Sequence, residues 1–180
     1  NLQYYGLDRN ESLRIYGVLT GMALPLILFP SAITNSISTV LLPTVAEIQA
    51  LNQQKKLTSL IQKVACSCIL LGSFCGIFLF IFGKWVGLFL FHSALAGNFI
   101  VTLAWICPFL YTNNALISII NGIGKTTLSL GINSVSLAIR IFSIYLFIPK
   151  IGIYGYLWGL LISQICTFAF ALLYLIFRRT

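Results

Sequence analysis

Gly21-Met-Ala-Leu-Pro-Leu-Ile-Leu-Phe-Pro-Ser-Ala-Ile-Thr-Asn-Ser-Ile-Ser-Thr-Val-Leu-Leu-Pro43 decides how this chain is read. The stretch is long enough to cross a bilayer and holds no charged residue. It also carries Pro25, Pro30 and Pro43, with Thr34, Asn35, Ser36, Ser38 and Thr39 at its middle. An anchor helix has no use for that polar block. Prolines and amides are tolerated at membrane depth where neighbouring helices or a wet cavity satisfy the freed backbone groups. The segment is therefore expected to line a cavity.

The rest of the chain agrees with a bilayer as solvent. Of 180 residues, 59% are hydrophobic and only 8% charged, against about 25% charged in soluble domains. The net charge of +8 sets 11 Lys and Arg against Asp8, Glu11 and Glu47. These basic residues lie mostly between apolar runs, the pattern of a topology signal rather than of nucleic-acid binding. Cys66, Cys68, Cys75, Cys107 and Cys166 all sit inside apolar runs, with no zinc or disulfide spacing. His92 is the only histidine, so a histidine metal cluster is excluded. No metal site and no cofactor are expected.

Five spans are expected, over 13–46, 59–82, 96–121, 127–148 and 154–177. Residues 1–12 read as an exposed polar loop in which Asn10 or Ser12 caps the first helix. That helix covers about 34 residues, roughly 50 Å, and must tilt or kink near Pro25 and Pro30 to fit a core about 30 Å thick. Residues 47–58 form a polar connection. Gly72 and Gly76 sit four apart, which allows close approach of helix backbones. Residues 83–92 are too short to cross, and Lys84 and Trp85 suit an interfacial turn. Pro108 breaks the third span. Gly122-Ile-Gly124-Lys125 resembles the end of a phosphate-binding loop, but the motif's first glycine would fall at Ile119 and a membrane helix precedes it. A tight turn is the reading adopted. Pro149 ends the fourth span.

Loop charges orient the chain. With the start outside, Lys55, Lys56, Lys63, Lys125, Arg178 and Arg179 lie inside, against Arg9, Arg14, Lys84 and Lys150 outside. The N-terminal end is thus expected outside and the C-terminal end in the cytoplasm. The opening on Asn1-Leu-Gln-Tyr-Tyr suggests a piece of a longer polytopic protein.

Arg140 lies midway along an otherwise uncharged span. Ser129, Asn133, Ser136, Arg140 and Ser143 recur at spacings of four and three, one face of a helix. An arginine there either faces a cavity or snorkels along about 13 Å of helix to the headgroups. A cavity-facing cation suits an anionic substrate such as a lipid-linked phosphate. Asn114, Ser118 and Asn121 mark one face of the third span, and Ser31, Asn35, Ser38 and Thr39 one of the first. These serve either as interhelical bonds or as cavity lining. Gly155, Gly159, Ser163 and Thr167 form a small stripe suited to packing, and Gln164 is expected to bond across helices. The candidate cavity residues are Arg140, Asn133, Ser136, Asn114 and Asn35, with Asn114 and Arg140 the expected partners of the first span's amides. No nucleophile–base pair or paired carboxylates appear, so the chain is not expected to be an enzyme and no catalytic residue is named.

The runs Tyr16 to Ser36, Leu41 to Glu47, Ala104 to Tyr111, Leu116 to Lys125 and Gly152 to Gly159 resemble a known family. It is the stage V sporulation protein B-like (polysaccharide biosynthesis, lipid II flippase-like) family of the multidrug/oligosaccharidyl-lipid/polysaccharide exporter superfamily, relatives of MATE transporters. The resemblance implies an all-α polytopic bundle in which residues 1–180 are helices eight to twelve, most of the second of two six-helix lobes. It implies a bacterial plasma membrane flippase moving a polyprenyl-linked peptidoglycan or polysaccharide precursor, in spore cortex or envelope synthesis. The implied partners are the bilayer, the lipid-linked glycan and the missing N-terminal lobe. A cation-coupled multidrug exporter of the same fold, and a non-transporting scaffold for cell-wall enzymes, are the alternatives. No intramembrane acid is available for cation coupling, which weighs against the exporter.

Overall fold

The computed structural model describes residues 9–177, and every regular element among them is a helix. Residues 1–8 and the basic pair Arg178 and Arg179 lie outside them. The chain runs as α1 (Arg9–Val18), a π-helical turn (Leu19–Ala23), α2 (Leu24–Leu28), α3 (Ser31–Ala50), α4 (Gln54–Phe91), α5 (Ala94–Ala104), α6 (Cys107–Gly122), α7 (Thr126–Ile151) and α8 (Ile153–Phe177). Segments Asn10–Leu28, Gln54–Phe91, Thr126–Pro149 and Ile153–Phe177 are long and apolar enough to cross a membrane. The pair α5 and α6, bent by 54° at Trp105 and Ile106, makes five if it counts as one span. That is the architecture of a multi-pass membrane bundle.

Several expected boundaries move. The helix expected over 13–46 is cut into four pieces, and the chain is already helical at Arg9, the first described residue, so Asn10 and Ser12 are helical and do not cap it. Pro25 has no N–H for the carbonyl one turn back, and the π-turn just before it absorbs the mismatch, with the Leu24 N–H bonded to the Leu19 carbonyl. At Phe29 and Pro30 the helix breaks. There the Ala32 amide turns to the Phe29 carbonyl, and side chains take up the carbonyls left behind. The Ser31 hydroxyl donates to Leu28 O at 2.6 Å and the buried Tyr111 hydroxyl donates to Ile27 O at 2.7 Å. At this break the Leu28 carbonyl is satisfied by the next residue but two and the Ile27 carbonyl by a neighbouring helix.

The polar connection expected over 47–58 shrinks to residues 51–53, with Asn52 at φ 52°. Its Glu, Gln, Lys and Leu residues are good helix formers, so α3 and α4 grow into it. The interfacial turn at 83–92 is also corrected. Helix α4 runs unbroken for 38 residues to Phe91, about 57 Å. Its glycines serve close packing rather than turning. Side chains placed at Gly72, Gly76, Gly83 and Gly87 would strike Pro108, the Ala104 carbonyl, Ile100 and Gly97 in turn, so α5 and α6 lie against the α4 backbone. His92 ends α4 at φ 49°, and Ser93 caps α5 by accepting the Ala96 N–H. Pro149 stays inside α7, which ends at Gly152 (φ 66°). The turn between α6 and α7 is the tight one expected, with Gly124 at φ 84° and its N–H on Asn121 O.

Helix α6 is central. It packs on α3, α4 and α8, while α7 packs along α8 and α1–α2 lean on α5. Two apolar cores form at its two ends. One gathers Ile27, Leu79, Phe99, Leu103, Tyr111 and Leu157; the other gathers Val45, Leu57, Leu116, Ile119, Ala171 and Leu175. Between them, on α3, α6 and α8, lies a polar belt.

Candidate functional site

The belt is set by Thr112-Asn113-Asn114 on α6, flanked by fully buried Tyr111 and Ala115. Consecutive residues on a helix point about 100° apart, so the two amides serve different neighbours. Asn113 turns to α8, where its Nδ2 donates to Gln164 Oε1 at 2.7 Å and to the Gln164 carbonyl at 2.9 Å. Asn114 turns to α3, where its Nδ2 donates to Asn35 Oδ1 at 2.8 Å. One turn on, the Ser118 hydroxyl donates to the Ser38 carbonyl. Beyond Ser31, the hydroxyls of α3 bond within their own helix instead. Thr34, Ser36, Ser38 and Thr39 each donate to a carbonyl three or four residues back, at 2.7–3.0 Å. Amides thus bridge helices, as does the Ser118 hydroxyl, while these four hydroxyls of α3 satisfy local backbone.

The single polar face expected on α7 divides in two. Ser129, Ser136 and Ser143, seven residues apart, are buried. They form the seam on α8, where a side chain at Gly159 would strike Ser143 and the Ser136 hydroxyl donates to Ser163 O at 3.4 Å. Gly155, Ser163 and Thr167 continue this seam, as expected of their stripe. Asn133 and Arg140 share the same seven-residue step but lie four residues on, about 40° further round the helix. That rotation takes them off the seam and onto an open flank.

The flank faces a cleft of about 720 Å³. Helix α3 lines one side with Asn35, Ser38, Thr39 and Leu42. Helix α7 lines another with Asn133, Ser136, Leu137 and Arg140. Between them α6 contributes Asn113, Asn114, Ile117 and Ser118, and α8 contributes Gln164 and Thr167. All five sequence-named cavity residues, Asn35, Asn114, Asn133, Ser136 and Arg140, meet there. Arg140 lines the cleft, and its Nε is buried with no hydrogen-bond partner among the described residues. The expected partnership of Asn35 with Asn114 is present; for Arg140 no hydrogen bond to α3 accompanies it.

Asn113 and Gln164 belong to this site although neither was named for it. Asn113 is 4% exposed, and its Oδ1 has no hydrogen-bond partner among the described residues. The Asn113-Asn114 doublet was the available signal, since two adjacent amides on one helix must address two different surroundings. The cleft is therefore lined by one cation and a ring of amides and hydroxyls, with no carboxylate among its lining residues. Such a lining suits a ligand that carries both negative charge and hydroxyl groups.

No protein-family profile, curated protein or solved structure matches the chain.

Proposed function

We propose that this chain forms most of the second lobe of a flippase that moves a polyprenyl-linked peptidoglycan or polysaccharide precursor across the bacterial plasma membrane. The observation that carries the proposal is the meeting of Arg140 with the amides of four helices in one cleft between two apolar cores. A phosphate-linked sugar is costly to bring to mid-depth because its charge and hydroxyls lose water. A guanidinium compensates the phosphate, and it does so through directional hydrogen bonds. The amides compensate the hydroxyls. The polyprenyl chain stays in lipid throughout. Transport then follows from alternating exposure of this cleft by movement against a companion lobe. The resemblance to the stage V sporulation protein B-like family, on the runs quoted above, supports the same reading. A lining free of carboxylates favours it over a cation-coupled drug exporter of this fold.

The test is translocation of a fluorescent polyprenyl-diphosphate glycan in proteoliposomes that hold the chain together with its companion lobe. Arg140→Gln is expected to lower the initial rate at least ten-fold, with unchanged yield and thermal stability. Asn133→Ala is expected to cost less. Full activity in Arg140→Gln at normal yield removes the cation from the mechanism and overturns the reading.

A further inference from the structure

Away from the central cleft, the first turns of α4 and the last turns of α8 flank a gap whose floor is α6. Helix α4 packs on α5 and α6, and α8 packs on α6 and α7. The space left between α4 and α8 is an apolar slot of about 260 Å³, walled by Leu57, Ile61 and Ala65 on one side and Leu172 and Leu175 on the other. Gln54, Thr58 and Gln62 line this slot and also a second, polar recess that includes Lys55 and Ser59. The two spaces therefore share one edge. Gln54, Thr58 and Gln62 stand four residues apart, a polar stripe beside the apolar stripe of Leu57, Ile61 and Ala65. The shared edge gives the site the two-part form of an amphiphile.

Charge and position select among amphiphiles. Lys55 lines the polar recess, the exposed Lys56 is its neighbour in sequence, and Lys125 stands two residues beyond Ile123, which lines the slot. No Asp or Glu lines either space. The site lies at the ends of two helices long and apolar enough to span a membrane, where a lipid headgroup would stand. Its volume of about 260 Å³ falls below the roughly 300–1,000 Å³ of sites for compact small molecules and suits part of a single hydrocarbon chain. Basic recesses between membrane helices attract anionic headgroups, at about 1 kcal/mol, or five-fold, per lysine.

We propose that this slot binds an anionic phospholipid, one acyl chain between α4 and α8 and the phosphate at Lys55 beside the amides of Gln54 and Gln62. The site is separate from the central cleft, and its occupancy does not depend on what that cleft transports. Native mass spectrometry of the detergent-purified protein, offered phosphatidylglycerol or phosphatidylcholine with identical acyl chains, tests it. At least five-fold higher retention of one phosphatidylglycerol is expected. The doubly substituted Lys55→Gln, Lys56→Gln protein is expected to fall to the phosphatidylcholine level, which itself stays unchanged. Ala65→Leu, which narrows the slot, is expected to lower retention of both lipids. Equal retention of the two lipids by the unsubstituted protein overturns the proposal, as does retention of phosphatidylglycerol untouched by the lysine substitutions. A dimer that Ala65→Leu dissociates would assign the slot to a second copy of the chain and overturn it equally.

Discussion

Asn113 makes two hydrogen bonds with one end of its amide and none with the other, while Asn114 joins α6 to α3 through Asn35. Interhelical bonds of this kind contribute about 0.6 kcal/mol on average, and up to about 1.7. A double-mutant cycle with Asn35→Ala and Asn114→Ala, read by unfolding in micelles, should return a coupling in that range. A larger cost is expected at Tyr111. Its hydroxyl serves the Ile27 carbonyl at the Pro30 break, where Tyr111→Phe leaves a buried acceptor unpaired. Thermal unfolding should show a loss of about 1–3 kcal/mol. The sequence announced that the freed carbonyls need partners, because prolines inside an apolar run demand them. It did not announce which partner, because Tyr111 lies 84 residues away and only the folded bundle brings it there.

At the scale of elements, glycine meant two different things, and spacing alone separated them only in part. Gly72 and Gly76 were legible as a packing pair. Gly83 and Gly87 extend the same seam, but Lys84 and Trp85 beside them carry the usual signature of a membrane interface, which hid a continuous helix. Gly97 at van der Waals distance from Gly87 is the contact that decides it. A Cβ on Gly87 would fall 2.4 Å from the Gly97 backbone, whereas nothing lies within 4 Å of one on Gly131 in α7. Gly87→Ala should therefore lower stability in detergent by about 1–3 kcal/mol. Gly131→Ala should raise it by about 0.5–1 kcal/mol through backbone entropy. Similar melting temperatures for the two variants would contradict the seam. The polar stripe of α7 shows the same limit of reading by period. Steps of three and four placed five residues on one face, and the fold then turned that face by about 40° between a buried serine seam on α8, whose Ser136 also reaches the cleft, and the cleft-lining pair Asn133 and Arg140.

In the whole molecule, the polar belt lies between two apolar cores, so polarity and depth are separable by chemistry. In a background without the native cysteines, Asn133→Cys in the cleft should react with a charged, water-borne maleimide. Leu130→Cys on the same helix, where Leu130 is 67% exposed on the outer surface, should resist it in membranes. Equal protection at the two positions would mean a dry cleft and would favour a scaffold over a transporter. Both cores draw on distant parts of the chain. The first needs Leu19 and Ala23 together with Leu157 and Leu160; the second needs Leu41 and Val45 together with Ala171 and Leu175. Helix α8 is thus shared by both, and it emerges from the ribosome after every other described helix. Neither core can close while the earlier helices are being made. During synthesis Asn113, whose hydrogen bonds both go to Gln164, must be held against lipid or an insertion factor until α8 arrives, and that interval is when a premature stop or a stalled ribosome would do the most damage.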